Sequence, residues 1–222
     1  MGYFWEGVPP YLLTVASQVL GPEATSVETG TFRGDSALLL AETFGSCTTI
    51  ERSTDLRRAA EIRFENDPRV TVLSGSSRVL LSEALPTRDT PCFFWLDAHG
   101  IYDASGSDQE ENPLLAELGI VIDGRQPGNT LIAIDDARGM GTQPGWPSTG
   151  SICSLLTSDG YDVIFLDDIL LAFDSSCGLN TYELYQSGRQ TEIPMVFHIW
   201  PAIRKLTNAR RWLDSAVTKF RT

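Results

Sequence analysis

Acidic side chains directly follow two apolar segments of this chain. Residues 93–96 are apolar and run into Asp97, and residues 131–134 are apolar and run into Asp135 and Asp136. A continuous apolar run is typical of a strand that is buried on both faces of a parallel sheet. In open α/β sheets, ligands bind beyond the carboxyl ends of the strands, and we therefore expect these three carboxylates to meet in one crevice.

Three neighbouring carboxylates favour the binding of a divalent cation. Left alone they would repel one another and raise their own pKa values, and a cation that prefers oxygen ligands, such as Mg²⁺ or Mn²⁺, removes that cost. We predict that Asp97, Asp135 and Asp136 bind the metal. Asp97 and His99 are then the predicted catalytic residues, with His99 as the general base. In the alternative interpretation Asp97 caps a helix, and Asp135 and Asp136 form a turn.

The role and the ionisation of His99 depend on this placement. As an alternative to a general base, His99 would orient the metal ligand Asp136. Carboxylates next to an imidazole favour its protonated form, whereas a bound cation opposes it. We expect the pKa of His99 to lie near or above the reference value of about 6.5.

Short apolar strands alternate with helical patterns from about residue 25 to residue 174. This alternation predicts an α/β fold, with a mostly parallel sheet that carries helices on both faces. One of these helices is predicted at 55–66. We expect it to bury its apolar residues Leu56, Ala59, Ala60, Ile62 and Phe64.

The pattern changes at residues 162–174. Two apolar runs lie on either side of Asp167 and Asp168. Two strands joined by two residues predict an antiparallel hairpin, which we place at one edge of the sheet. We interpret the two aspartates as turn formers and not as ligands.

No repeat and no low-complexity linker divides the chain, which predicts a single domain over residues 1–222. Residues 1–20 carry aromatic side chains ahead of a helical pattern, and they form either a lid over the site or a helix packed on the core. Residues 175–222 form a C-terminal extension. Within it, residues 204–221 hold six basic residues and one acid, which fits a contact for an anionic partner or a solvated amphipathic helix. His198 is interpreted as structural.

The composition limits the class of protein. The 222 residues carry a formal net charge of −12, and the pI is about 4.5. Such a charge disfavours nucleic acid and an anionic membrane as partners. The four cysteines are scattered, no basic-then-apolar leader is visible and no apolar run has the length of a membrane span, which favours a cytoplasmic protein. A homodimer is left open.

Features of an adenosine-binding site follow the first two strands. The first strand ends in a turn with Gly30 and Gly34, which allow a tight bend and a close approach of the backbone to a ligand. Glu51 ends the second strand about 20 residues further on, where a carboxylate can accept hydrogen bonds from both ribose hydroxyls. At a strand end, Glu51 is expected to matter little for folding. Glu28 and Asp35 would repel a pyrophosphate but suit the cationic ligand S-adenosylmethionine, which argues against a dinucleotide.

Over residues 25–174 the chain resembles the class I S-adenosylmethionine-dependent methyltransferases. Residues 28–34 match the family's first motif in the form E-x-G-x-x-x-G, Glu51 matches its ribose-binding acid, and the hairpin matches its antiparallel last strand. The resemblance implies a Rossmann-like, mostly parallel seven-stranded sheet with an antiparallel last strand, and S-adenosylmethionine as cofactor. The residues implied in binding this cofactor follow the predicted strands: Glu28, Gly30, Thr31, Arg33, Glu51, Arg52, Ser76, Ser77 and Asp97.

The two acidic strand ends are similar to the metal site of the divalent-metal-dependent O-methyltransferases of the catechol and macrocin/sugar types. In the sugar type a base lies near the first metal ligand, where His99 stands. The catechol type has a lysine shortly after that ligand, and this chain has none before Lys205. Arg33 and Arg138 are candidates for contacting the acceptor or the methionine carboxylate.

The function that the resemblance implies is metal-dependent methyl transfer from S-adenosylmethionine to a hydroxyl of a small molecule. Two adjacent oxygens on one cation would select vicinal diols, which favours a sugar or a natural-product diol as acceptor. The alternatives are a metal-independent small-molecule methyltransferase, an NAD-type oxidoreductase and a cofactor-binding protein without catalysis.

Overall fold

The computed structural model describes residues 7–99 and 112–177. Helices and strands alternate along these residues, as the sequence predicts. In chain order the elements are α1 (Pro10–Leu20), β1 (Thr25–Thr29), α2 (Asp35–Phe44), β2 (Cys47–Glu51), α3 (Thr54–Phe64), β3 (Val70–Ser74), α4 (Ser77–Ala84), β4 (Cys92–Leu96), α5 (Leu114–Gly124), β5 (Thr130–Ile134), α6 (Thr149–Ser158), β6 (Tyr161–Leu166) and β7 (Ile169–Asp174). Short 3₁₀ turns cover Pro127–Asn129, Ala137–Gly139 and Ser175–Cys177.

The strands form one seven-stranded sheet in the order β3-β2-β1-β4-β5-β7-β6. The first five strands along the chain pair in parallel, and β7 is antiparallel to both of its neighbours. The chain builds outward from β1 to β3 and then crosses back to place β4 on the other side of β1. Such a reversal opens a crevice at the carboxyl ends of the two central strands. The predicted α/β sheet with an antiparallel last strand is confirmed.

Alternation along the central strands explains why helices cover both faces. Phe93 and Trp95 of β4 point into a core that includes buried residues of α1, α2 and α3. Phe94 and Leu96 point into the opposite core, which α4, α5 and α6 close. All five residues of β4 and of β5 are buried, as expected for strands with a layer on each side.

Helix α3 differs from its sequence prediction in the face that it buries. Ala60 and Phe64 are buried against the sheet, but the side chain of Ile62 is 66% exposed. Residues four apart lie on one side of a helix, whereas a residue two positions away points to the other side. Because α3 covers the sheet near the edge strand β3, only this narrow stripe is buried. The predictions for Ile62 and for Ala59, which is also exposed, were wrong.

Helix α1 packs on the same face of the sheet as α2. Its Leu12, Leu13 and Ala16 belong to that core. The Tyr11 hydroxyl donates a hydrogen bond of 3.4 Å to Oδ2 of Asp167 in the turn between β6 and β7. Residues 10–20 therefore form the core-packed helix that was one of the two expectations for the N-terminal segment.

Other predictions fall outside the described residues. These are the contribution of residues 1–6 to a lid, the C-terminal extension beyond Cys177 with its basic segment 204–221, and the role of His198. Within the described ranges, none of the helices combines the length and apolar character needed to cross a membrane. All four cysteines are free thiols.

Candidate functional site

The predicted site residues converge at the carboxyl end of the sheet. The register pairs Thr29 of β1 with Ile50 of β2 and with Leu96 of β4, and it pairs Leu96 with Ile134 of β5. The residues that follow these four positions therefore leave the sheet at the same level. Parallel pairing in this register brings the glycine turn, Glu51, Asp97 and Asp135 to one crevice.

Glycine is required where β1 leaves the sheet. Gly30 has a φ of +84°, and a Cβ atom there would lie 2.5 Å from the carbonyl oxygen of Asp97. Gly34 has a φ of +75°, and its Cβ would lie 2.6 Å from the ring of Phe64. Both positions combine a left-handed backbone with contacts too close for any side chain. The turn thus presses directly against the backbone that leaves β4.

Glu51 holds this turn in place. Its Oε2 accepts a hydrogen bond of 2.9 Å from the amide of Phe32, and its Oε1 accepts one of 2.8 Å from the amide of Ser53. Phe32 has a φ of +47°, an uncommon conformation for a bulky residue. The carboxylate therefore braces the turn, and each of its oxygens keeps a second lone pair for a ligand.

Glu28 lies beneath the turn in a chain of hydroxyl groups. Thr49 donates a hydrogen bond of 2.6 Å to Oε2 of Glu28, and the Thr31 hydroxyl lies 2.6 Å from that of Thr49. Because Thr49 gives its proton to Glu28, Thr31 must donate to Thr49. Burial raises the pKa of Glu28 to about 8, since the Thr49 bond opposes that effect only in part. At neutral pH the Glu28 carboxyl therefore keeps its proton.

The remaining predicted cofactor residues surround the turn. Ser76 immediately precedes α4 and Ser77 begins it, so both follow the carboxyl end of β3. Arg52 follows Glu51 at the end of β2 and is exposed. The Arg33 guanidinium lies 5.0 Å from the centre of the Phe32 ring. These four residues lie at the predicted end of the sheet, and their roles toward a ligand stay predictions.

The carboxylates after β5 form a cluster with a residue from the hairpin turn. Ligand atoms of Asp135, Asp136 and Asp168 all lie within 4.8 Å of one another. Asp97 is not part of this group, which is the one such group within residues 7–99 and 112–177. Burial, followed by repulsion from Asp135 and Asp136, raises the pKa of Asp97 well above its usual range. Asp97 is therefore a neighbour of the cluster, and Asp168 takes the third place in it.

Sequence reasoning interpreted Asp168 as a turn former only. It does lie in the two-residue turn between β6 and β7. However, β7 is antiparallel to β5, with Leu170 opposite Ile134, and the start of β7 therefore lies beside the end of β5. The signal that could have found Asp168 was the hairpin itself, once its last strand is placed next to β5.

The cluster carries repulsive charge that is partly compensated. Burial, with a contribution from Asp136, raises the pKa of Asp135 to about 6. The amide of Asp136 donates a 2.8 Å hydrogen bond to Oδ1 of Asp135 and favours its ionised form. Asp136 has a φ of +53°, which turns the chain sharply after β5.

Arg138 contacts two members of the cluster. Its Nη2 lies 2.6 Å from Oδ1 of Asp136, and its Nη1 pairs with Oδ2 of Asp168. Its backbone amide donates a 2.8 Å hydrogen bond to Oδ1 of Asp168. Arg138 is thus an ion-pair partner of the cluster. From the sequence it was a candidate for contacting the acceptor or the methionine carboxylate.

His99 lies beside the cluster with one ring nitrogen committed. Its Nε2 is 2.8 Å from the backbone carbonyl oxygen of Asp135, which can only accept, so Nε2 carries the proton. Nδ1 has no hydrogen-bond partner within the described part of the chain, and the residue is 2% exposed. Burial lowers the pKa of His99 below its usual value, although Asp136 and the bond to Asp135 oppose the effect. The expectation of a pKa near or above 6.5 was wrong, because desolvation outweighs the neighbouring charge.

Trp146 closes one side of His99 and was not identified from the sequence. Its ring meets the imidazole edge to face, at 4.8 Å between centroids and 86° between planes. Gly139 makes room for the indole, since a Cβ there would lie 2.7 Å from it. Trp146 stands in the loop between β5 and α6, where no periodic pattern marks it. It also lines a cavity of about 240 Å³ with residues of α4, α5 and the neighbouring loops: Arg78, Asn112, Leu115, Ala116 and Pro147.

Solved structures share this architecture. No protein-family model matches the sequence, and no curated protein matches it. An O-methyltransferase from Bacillus cereus in complex with SAH superposes with a TM-score of 0.55 at 17% identity, covering 75% of this chain and 82% of that one. The chain shares the methyltransferase fold. Streptomyces venezuelae DesVI superposes with a TM-score of 0.51 at 11% identity, covering 74% of this chain and 89% of that one.

Replacement of Glu51 tests its role as a brace. In Glu51→Ala the amides of Phe32 and Ser53 lose their acceptor, and we expect the free energy of unfolding to fall by about 1–3 kcal/mol. From the sequence alone, replacement of Glu51 is expected to leave folding nearly unchanged, because these two hydrogen bonds are not visible there. Urea denaturation followed by circular dichroism measures the change. Glu61→Ala, which removes an exposed helical ion pair with Arg57, is the matched control and should change stability by less than about 0.5 kcal/mol. Equal stability of the two variants would contradict the brace.

The raised pKa of Glu28 makes stability depend on pH. The folded protein keeps this proton up to about pH 8, whereas the unfolded chain releases it near its ordinary value of 4.5. The unfolded state then binds fewer protons, and stability falls as pH rises through this window, by up to about 1.4 kcal/mol per pH unit. In Glu28→Gln, the stability should fall less steeply with pH. The amide oxygen of the glutamine can still accept the hydrogen bond from Thr49. Burial raises the pKa of Glu117 to about 7, so part of the slope remains. Urea denaturation from pH 5 to pH 8 measures both slopes, and an unchanged slope in Glu28→Gln would refute the assignment.

Proposed function

We propose that the protein transfers a methyl group from S-adenosylmethionine to a hydroxyl oxygen of a small molecule, with a divalent cation at the acceptor. The observation that carries this proposal is His99, whose Nε2 binds the backbone carbonyl of Asp135 beside a carboxylate cluster and whose Nδ1 has no hydrogen-bond partner among the described residues. A proton acceptor and a set of oxygen ligands thus occur together at the end of the sheet that holds the glycine turn. The shared fold supports the choice of cofactor.

The residues around the glycine turn fit the proposed cofactor. The absence of a side chain at Gly30 lets the turn pack on the backbone that follows β4, and Glu51 retains lone pairs for the ribose hydroxyls. Ser76 and Ser77 offer small hydrogen-bonding groups for the adenine edge. The proton on Glu28 and the pairing of Asp35 with Arg63 at 2.8 Å temper the negative charge that would otherwise face the methionine carboxylate. The bound cofactor supplies an electrophilic methyl group on a sulfonium.

The carboxylate cluster fits Mg²⁺ or Mn²⁺. Its ligand atoms are oxygens within 4.8 Å of one another, the donor type that these hard cations prefer. Repulsion contributes to the raised pKa of Asp135, and a cation would relieve it. Asp135 and Asp136 would hold the cation with Asp168, and Asp97 is the predicted further ligand. A cation held there would lower the pKa of a hydroxyl group of the acceptor.

His99 takes the hydroxyl proton in this proposal. The hydrogen bond from its Nε2 to the Asp135 carbonyl fixes the ring and leaves Nδ1 as the accepting atom. The Trp146 ring keeps water from one side of the imidazole. The cavity beside Trp146 offers apolar walls and two polar side chains for part of the acceptor, for which we propose a sugar or a natural-product diol. Much of the rate then comes from holding oxygen, methyl carbon and sulfur in line.

A metal-independent methyltransferase is the second candidate, and Arg138 favours it. The guanidinium already balances Asp136 and Asp168 and reduces the need for a cation. An NAD-type oxidoreductase is disfavoured, since the turn at residues 28–34 lacks the G-x-G-x-x-G form that a pyrophosphate prefers. The four free cysteines support a cytoplasmic location. The single domain over residues 1–222 and the homodimer stay predictions.

Calorimetry and a methyl-transfer screen test the proposal together. We expect S-adenosylmethionine to bind, and Glu51→Ala to weaken that binding by about 1.5–3 kcal/mol because charge-assisted hydrogen bonds are lost. Glu61→Ala should bind as the wild type does. A mass-shift screen of sugars and polyphenols should show methylation that EDTA abolishes and Mg²⁺ or Mn²⁺ restores. Absence of cofactor binding would overturn the function, and full activity in EDTA would select the metal-independent candidate.

Replacement of His99 tests the proposed base. His99→Ala should lower kcat by about 10²–10⁴, the range for a positioned general base, and should leave cofactor affinity unchanged. If His99 instead positions the metal ligands, the same variant should weaken metal binding by about 10–100-fold. Measuring metal affinity and kcat on one preparation separates the two roles. Trp146→Phe, which keeps an aromatic wall, is the control for packing around the imidazole. Normal turnover of His99→Ala at saturating metal would remove His99 from the chemistry.

A further inference from the structure

A cation of the chain itself lies in the carboxylate cluster. The Arg138 guanidinium bridges Asp136, at 2.6 Å, and Asp168. Two hydrogen bonds from backbone amides set this geometry: the Arg138 amide donates to the side-chain Oδ1 of Asp168, and the Ala137 amide donates to the Asp168 carbonyl, each at 2.8 Å. The 3₁₀ turn after β5 and the hairpin turn before β7 are thus joined through Asp168, with Arg138 between them. The bridge is built into the local backbone.

The bridge uses oxygens that a metal ion would need. Asp136 and Asp168 are two of the three residues whose ligand atoms lie within 4.8 Å of one another. A divalent cation at their centre would compete for the same lone pairs. It would also repel the positive guanidinium at close range. Arg138 and a divalent cation therefore exclude each other from this cluster.

Exposure gives Arg138 a route out of the cluster. Its side chain is 50% exposed, whereas those of Asp136 and Asp168 are 30% and 17% exposed. The long, flexible arginine side chain can reach solvent while the backbone bonds to Asp168 stay in place. The two aspartates, in contrast, are held by the sharp turn at Asp136 and by the hairpin. Exchange of one cation for another then involves movement of the Arg138 side chain.

We infer that Arg138 is an exchangeable counter-ion of the cluster, whose charge it partly offsets until a divalent cation binds and displaces it. The inference rests on the metal site of the proposed function. Because a monovalent cation brings no more charge than the guanidinium that it would displace, Na⁺ and K⁺ gain nothing by entering. A divalent cation brings more positive charge than the guanidinium and can displace it. Arg138 thereby sets both the affinity of the site for metal and its preference for divalent ions.

Arg138→Gln removes the charge from the side chain, Arg138→Lys keeps it, and Arg57→Gln makes the same change in net charge on the distant α3. Titration calorimetry of each protein with Mg²⁺ and Mn²⁺, without cofactor or acceptor, gives the metal affinities. Thermal unfolding in EDTA gives the stability of the metal-free state. We expect Arg138→Gln to bind metal about 10-fold more tightly than wild type and to unfold several degrees lower in EDTA. Arg138→Lys should be close to the wild type in metal affinity and in unfolding temperature. Arg57→Gln should match the wild type in both measurements.

The outcomes separate this inference from the proposed function. Metal binding by Arg138→Gln alone would show that Arg138 is a permanent counter-ion that no divalent cation displaces, which would overturn the inference and would remove metal dependence from the wild-type activity. Equal or weaker metal binding by Arg138→Gln, with clear binding by wild type, would overturn the inference and leave the metal site standing. Absence of metal binding in every variant would overturn both. An unchanged unfolding temperature of Arg138→Gln in EDTA would also count against the inference, because the bridge would then contribute nothing to the metal-free state.

Discussion

Negative charge at the carboxyl ends of β1, β4 and β5 is the constraint on which the rest of this site depends. Parallel pairing brings Glu28, Asp97 and Asp135 to the same end of the sheet, where burial raises the pKa of each. The structure relieves the charge in two ways. A proton neutralises Glu28 at neutral pH, and a guanidinium offsets part of the charge of two aspartates further along the sheet. What is left is a compact set of oxygens that favours a small, highly charged cation.

The architecture was predictable because continuous apolar strands and alternating helices are strong local signals. The central strands β4 and β5, buried on both faces, read in the sequence as unbroken apolar runs. Burial of a helix residue also depends on how wide a stripe of the helix contacts the sheet. For this reason periodicity alone gave the wrong prediction for Ile62 in α3. The same logic placed Asp97 and Asp135 correctly at strand ends. It did not place Asp168, since its position depends on which strand the hairpin joins, and that pairing has no local signature.

The ionisation of His99 shows why charge patterns in a sequence do not give a pKa. Counting the neighbouring carboxylates predicts a protonated imidazole. In the structure, the imidazole is almost completely removed from water, and desolvation outweighs those charges. Trp146, which completes its enclosure, lies in an irregular loop. The chemistry assigned to His99 therefore depends on a contact that no periodicity could reveal.

The position of β7 between β5 and β6 has a consequence for how the protein is made. During synthesis, the first five strands can pair in parallel before the hairpin emerges, yet β5 then lacks its outer neighbour. Asp168 joins the cluster only when the hairpin has docked, with β7 inserted between β5 and β6. A nascent chain that ends before this point presents an open sheet edge and an incomplete carboxylate cluster. Completion of the sheet and completion of the carboxylate cluster are thus one event, which follows the synthesis of the hairpin.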